Sequence, residues 1–246
     1  MKITCVTSRY LPNLRHIARL LEVDTTVILD LAPLPHRNRD SFIYRNRIMN
    51  KFGDKIWLSV PVSRKGTNIV KDAKIELTKH NWTEKHIKSL SHFYPKHNLF
   101  AGNFLEKMQE SIMLSDGTLL DVNTKMLSLI LETLGYQKVN FIYQSELINC
   151  HSDDHRLDLA NILKAHEYIA GQVEYKILSD RNKLLQMQDS GVIVNRSPDL
   201  SIDEFSKDLT VELSCIHSIF TLGIDKTREI LDRMLSKLKK HQLKSV

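Results

Sequence analysis

The first thirty residues narrow the fold more than any other stretch of this chain. Residues 3–6 are a short β-prone run, and residues 7–13 (TSRYLPN) follow as a polar, proline-bearing loop. Leu14, Ile17, Ala18 and Leu21 then recur at helical spacing. Residues 23–29 (VDTTVIL) return to a β-prone run, and Asp30 ends it. Asn13 or Ser8 is placed to cap the helix, and Pro12 suits its first turn. A connection this long is no hairpin, so the two strands are expected to run parallel.

In such sheets ligands bind beyond the carboxyl ends of the strands, where helix N-termini offer free N–H groups to anions. Arg9, Tyr10 and Asp30 are expected at that mouth. No glycine-rich phosphate loop is present, so any phosphate cradle is of another type.

Pro33 and Pro35 break regular structure, residues 42–48 read as extended, and residues 57–62 (WLSVPV) alternate as a strand does. Another short strand is expected over 73–77. Beyond Trp82 the periodicity is helical, with helices expected over 84–94, 104–114, 124–134, 158–168, 173–188 and 211–241, and short strands over 139–143 and 192–194. Gly135 sits where a helix C-cap belongs. The expected class is α/β: a mostly parallel central sheet with flanking helices and a helix-rich C-terminal part. At 246 residues the chain fits one domain, with 1–100 as the α/β core bearing the site and 101–246 as the helix-rich remainder.

The densest cluster of chemistry-bearing side chains is residues 36–47, where His36, Arg37, Arg39, Arg45 and Arg47 supply five cationic groups among twelve. On a strand Arg45 and Arg47 share one face and Asn46 takes the other. Two guanidinium forks on one face suit a phosphate or a carboxylate; the alternative is an edge strand guarded by charge. Trp82 and His86, four apart on a helix, share a face with Lys85 beside them. His86 is a candidate general base, or half of a Trp–His packing pair. Ser145, after the 139–143 strand, is placed at another strand end.

Composition excludes several classes. Hydrophobic residues at 42% and charged residues at 26% are globular, not disordered, values. The three cysteines, Cys5, Cys150 and Cys215, lie far apart with no metal or disulfide spacing. The tract 151–155 (HSDDH) reads as a helix start, not a metal site. The net charge of +6 comes partly from Lys237, Lys239, Lys240 and Lys244, read as a solvated tail without the aromatic interleaving of nucleic-acid binders. No apolar run spans a membrane and the N-terminus is not a signal peptide, so a cytoplasmic location is expected. The sequence does not identify a cofactor.

Taken in order, these motifs resemble the WbqC-like protein family. The match runs through Tyr10-Leu11-Pro12, the strand ending at Asp30, Arg45-Asn46-Arg47-Ile48, residues 57–62, Trp82 with Lys85 and His86, Tyr94 with Lys96, Ser145-Glu146-Leu147, Arg156-Leu157, Tyr168-Ile169 with Gly171, and Leu213-Ser214 to Gly223. It departs where the family has His-Gln-Pro, here Val6-Thr7-Ser8, and where the family Trp is Asn13.

The resemblance implies a small-molecule-modifying enzyme of bacterial surface-polysaccharide (O-antigen) or related metabolite biosynthesis, with acyl or aminoacyl transfer to an amino sugar as the inferred reaction. An ATP-dependent nucleotidyltransferase-like ligase and a non-catalytic binding protein of the same fold are the alternatives. On the first reading His86, Asp30 and Tyr10 are the catalytic candidates. Arg9, Arg45, Asn46, Arg47, Lys85 and Ser145 hold an anionic partner, a nucleotide sugar or phosphorylated donor. Tyr10, Asp30, Arg45, Arg47 and His86 are expected in one pocket.

Overall fold

The alternation of side chains along the first two strands determines the layering. In the computed structural model, β1 (Lys2–Val6) and β2 (Thr25–Ile28) pair in parallel through the helix α1 (Leu14–Leu21). Ile3, Cys5, Val27 and Leu29 face one apolar cluster, while Val6 and Ile28 face another. With both faces covered, the strands are buried nearly throughout, as parallel sheets require. The structure describes residues 1–35, 41–63, 65–66, 68–76, 81–94, 98–136, 139–148, 155–197 and 213–242, and for 98–102 and 238–242 the backbone only.

The chain continues through a hairpin, β3 (Arg45–Met49) and β4 (Lys55–Ser59), and three helices, α2 (Trp82–Phe93), α3 (Asn98–Met113) and α4 (Leu119–Thr133). Then come β5 (Phe141–Tyr143), α5 (Gln144–Leu147), α6 (Arg156–Ile162), β6 (Glu167–Ala170), α7 (Gln172–Asp180), α8 (Lys183–Asp189) and β7 (Ile193–Arg196). The helices α9 (Cys215–Leu222) and α10 (Ile224–Gln242) close the chain. The main sheet has the order β5-β2-β1-β6-β7 with every pairing parallel, and β3 and β4 form a separate antiparallel pair. The α/β class, with helices on both faces and at the C-terminus, is therefore as expected; three of the five sheet strands come from beyond residue 100.

Three expected helices are broken. The helix expected over 158–168 stops at Ile162, Lys164 turns left-handed at φ 50°, and residues 167–170 become the buried strand β6. A run as short as Glu167-Tyr168-Ile169-Ala170 carries no period that separates a strand from a helix turn. The 173–188 helix divides at Asn182, φ 58°, and the 211–241 region divides at Gly223, φ 85°. The strand expected over 73–77 is reduced to bridges at Lys74 and Ile75 among the described residues. Asn13 is the cap of α1, its Oδ1 accepting from the His16 N–H, and Gly135 follows α4 at φ 78° as a helix stop.

The order of strands fixes where the sheet opens. From β1 the chain moves outward to β2 and then β5, and returns to the other side of β1 for β6 and β7. The topological switch lies between β1 and β6, which pair only at Lys2 and Ile3 before separating.

Candidate functional site

A cavity of about 690 Å³ lies at that switch. It is lined mainly by the end of β1, the loop after it, one face of α1, and Gly171 with the first turns of α7. Five guanidinium groups line it, Arg9, Arg15, Arg19, Arg47 and Arg156, against one carboxylate, Glu174, among the described residues.

The separating strands leave carbonyls with no ladder partner, and Arg19 takes them. Its Nε donates to Thr4 Oγ1 at 2.7 Å, and one terminal nitrogen donates to the carbonyls of Cys5 at 3.1 Å and Ile169 at 3.0 Å. Thr4 Oγ1 donates in turn to the Ile169 carbonyl at 2.7 Å. Arg19 thus bridges the switch and also pairs with Glu174. Arg156 Nε and the Tyr168 hydroxyl each donate to Glu174 Oε1 at 2.6 Å, while the Gly171 N–H, capping α7, donates at 3.0 Å to Oε2, the oxygen that pairs with Arg19. Burial alone would raise the pKa of Glu174, but Arg19, Arg156, the Tyr168 hydroxyl and the Gly171 N–H together hold it below the usual carboxylate value. Glu174 is therefore ionised and committed to holding Arg19 and Arg156.

Arg9 is differently placed. No hydrogen bond or ion pair to its guanidinium is present among the described residues, and the group lies 5.8 Å from the Phe42 ring centroid. Burial, then Arg19, lower its pKa to about 10, with Glu174 opposing, so it stays charged at neutral pH. Phe42 begins a ladder of alternating cations and rings. Arg47 lies 6.0 Å from Phe42 and 4.4 Å from Trp57, its cross-strand partner, and Arg45 lies 4.2 Å from the same Trp57 ring. Stacking on aromatic rings holds guanidinium groups near one another where charge repulsion would part them. Arg9, Phe42 and Arg47 line the cavity, and Arg45, at the far end of the ladder, does not.

Sequence-expected residues thus fall into separate places. Arg9 and Arg47 line the cavity. Tyr10 and His86 do meet, hydroxyl to Nδ1 at 2.9 Å, but both are buried in the core beside Trp82, with ring centroids 6.4 and 5.2 Å from it. The His86 ring also bonds the Ser59 carbonyl, and burial lowers its pKa to about 4. Asn46 is buried, its Nδ2 donating to the carbonyls of Leu11 at 2.6 Å and Tyr10 at 3.3 Å. Asp30 is buried at the end of β2, accepting from the Ser145 N–H at 3.0 Å and hydroxyl at 2.7 Å, with Lys71 Nζ on that hydroxyl at 3.0 Å. Lys85 is exposed on α2. The five residues expected in one pocket are not gathered there: Arg47 lines the cavity, and Tyr10, Asp30, Arg45 and His86 do not. Arg37, Arg39, Cys150 and the 151–154 part of the His/Asp tract lie outside the described residues. Among the described residues no cluster of three metal-ligating side chains occurs.

His16, Arg19, Arg156, Gly171 and Glu174 were not singled out as site residues from the sequence. A signal existed in β6: a short apolar run, then Gly171, then an acid three residues on, is a strand entering a capped helix.

A family model described as the WbqC-like protein family matches residues 7–229. No curated protein and no solved structure matches the chain.

Proposed function

The chain belongs to the WbqC-like protein family, and on that premise we propose that it is a small-molecule-modifying enzyme, a transferase of surface-polysaccharide or related metabolite biosynthesis, that binds an anionic donor in the arginine-lined crevice. The reaction class we propose is acyl or aminoacyl transfer to an amino sugar, with a nucleotide sugar or phosphorylated compound as partner. The observation that carries this reading is the Arg9 guanidinium: charged, mostly removed from water, and without a carboxylate partner among the described residues. A cation so placed is stabilised by an anion that enters the cavity. Arg47 supports it, lining the same cavity and lying near the same Phe42 ring as Arg9.

A second groove, of about 440 Å³, adjoins the crevice across Gln172 and Val173 and carries Lys176 and Arg196. Two adjoining recesses suit a donor and an acceptor held side by side, which is what group transfer requires. On this reading Tyr10, His86 and Asn46 act by holding the 9–12 loop against the core, so that Arg9 and the start of α1 stay aimed at the ligand.

Thermal-shift measurements with ATP, nucleotide sugars, coenzyme A and sugar phosphates test it. A ligand at 100 times its dissociation constant adds ~2.7 kcal/mol of stability. Stabilisation by at least one of these anions, lost in Arg9→Met, is the expected result. An equal shift in Arg9→Met, or none with any anion, refutes the anion crevice. Turnover of ATP to a nucleotidyl product would replace the transferase reading with a ligase.

A further inference from the structure

Two of the three buried histidines in the described core are satisfied by tyrosines. His86 Nδ1 bonds Tyr10 at 2.9 Å, and His217 Nδ1 bonds Tyr94 at 2.9 Å. His16 is the exception. It is 6% exposed and lines the crevice, yet neither ring nitrogen has a hydrogen-bond partner among the described residues. Only its backbone is engaged, the N–H donating to Asn13 Oδ1 at 2.9 Å. A buried imidazole facing open space draws its hydrogen bonds from whatever fills that space.

The charged groups that line the cavity with this ring are Arg9 from the loop, Arg15 and Arg19 from its own helix, Arg47 from β3, Arg156 from α6 and Glu174 from α7. Burial first, then Arg9 and Arg19, hold its pKa well below the ordinary histidine value. In the protein alone the ring is therefore neutral at pH 7. A phosphoryl dianion beside Arg9 reverses that balance, because it cancels the cationic field and offers oxygens to an N–H donor. An opposite charge within hydrogen-bonding range raises a histidine pKa by about 1–3 units.

We propose that His16 is the acid–base residue of the crevice, contacting the phosphoryl group of the ligand and taking up a proton as that group binds. One proton moves from solvent to the ring nitrogen, and no other bond changes. The imidazolium then donates to a phosphoryl oxygen and stands ready to protonate a leaving oxygen. This rests on the anion-crevice reading above.

Titration calorimetry with inorganic diphosphate at pH 6.5, in two buffers of different ionisation enthalpy, reads the proton uptake. The wild type is expected to take up to about one proton per ligand more than His16→Gln, since only it carries the titrating ring. Diphosphate that binds both with equal uptake overturns the proposal and leaves the anion crevice standing. Diphosphate that binds neither protein removes the crevice reading and this proposal with it. Should His16→Gln not fold, histidine NMR of the wild type decides. The His16 resonance is expected to titrate well below pH 6.5 in the protein alone and to move upward with diphosphate. A titration near 6.5 in the free protein, or no movement with bound diphosphate, overturns the proposal.

Discussion

Asn46 Nδ2 lies 2.6 Å from the carbonyl oxygen of Leu11, a residue that turns left-handed at φ 45°. A branched side chain in that region costs about 1–3 kcal/mol, and it persists only where its surroundings fix it. Here they do: Asn46 also bonds the Tyr10 carbonyl, the Tyr10 N–H bonds the Phe42 carbonyl at 3.1 Å, and the Cys215 N–H bonds the Pro12 carbonyl at 2.9 Å. The strained turn carries the chain from Arg9 to the cap of α1. Asn46→Leu leaves two buried carbonyls short of a donor and should cost about 1–3 kcal/mol. Urea denaturation checks this, and an unchanged midpoint would show that the turn does not depend on Asn46.

Gly171 has ordinary backbone angles, and its importance is spatial. A Cβ there would lie 2.6 Å from a terminal nitrogen of Arg19. That guanidinium cannot swing aside cheaply, since Thr4, Cys5, Ile169 and Glu174 all hold it. Gly171→Ala should therefore destabilise the protein by about 1–3 kcal/mol through overpacking and disturb the crevice. Gly191→Ala, at a position where a Cβ meets open space but φ is 81°, separates the two causes. It is strained in the backbone yet should leave diphosphate affinity intact, whereas Gly171→Ala should lower it.

The same logic of spacing explains what sequence reading reached. The β1–α1–β2 unit was legible because period two, a proline loop and period 3.6 follow one another within thirty residues. The pairing of Arg45 with Arg47 on one face was legible from strand alternation alone. What sets their surroundings was not: Trp57 comes from β4 and Phe42 from the loop before β3. The position of β6 was hidden because residues 167–170 are too few to show a period. With β6 unseen, the switch point could not be located, so Arg156 and Gly171 stood out only as family motif positions and Glu174 not at all. Tyr10 and His86 were expected among five residues of one pocket, but burial cannot be read from residue types that serve both cores and sites.

Arg45 and Arg47 give a direct comparison, because both stack on Trp57 and only Arg47 lines the cavity. Replacing arginine by lysine keeps the charge and removes the planar fork. Arg47→Lys is expected to weaken binding of an anionic ligand about tenfold, near 1.4 kcal/mol. Arg45→Lys should change it far less. Equal losses in calorimetry would place both side chains in one binding surface, and equal indifference would remove Arg47 from it.

Acid should loosen the protein through His86. Its pKa is lowered from 6.5 to about 4, chiefly by burial, while the bond to the Ser59 carbonyl works against the shift. The unfolded chain therefore binds a proton that the folded chain refuses. Between pH 6.5 and pH 4 the unfolded state holds more protons, so stability is complete above 6.5 and declines as pH falls through that window. Each pH unit within it costs about 1.4 kcal/mol, or about 3 kcal/mol across the whole interval. His16 and Glu174 contribute in the same direction, since their folded pKa values are also lowered. The His86 share is isolated by a Tyr10→Phe/His86→Leu double variant, which removes both hydrogen-bonding partners together and leaves no unpaired hydroxyl. Urea midpoints measured from pH 7.5 downward should show the wild type losing stability faster than this variant, with the two curves parallel above pH 6.5. A difference between them that stays constant through the acid range would mean that His86 is not a buried neutral base.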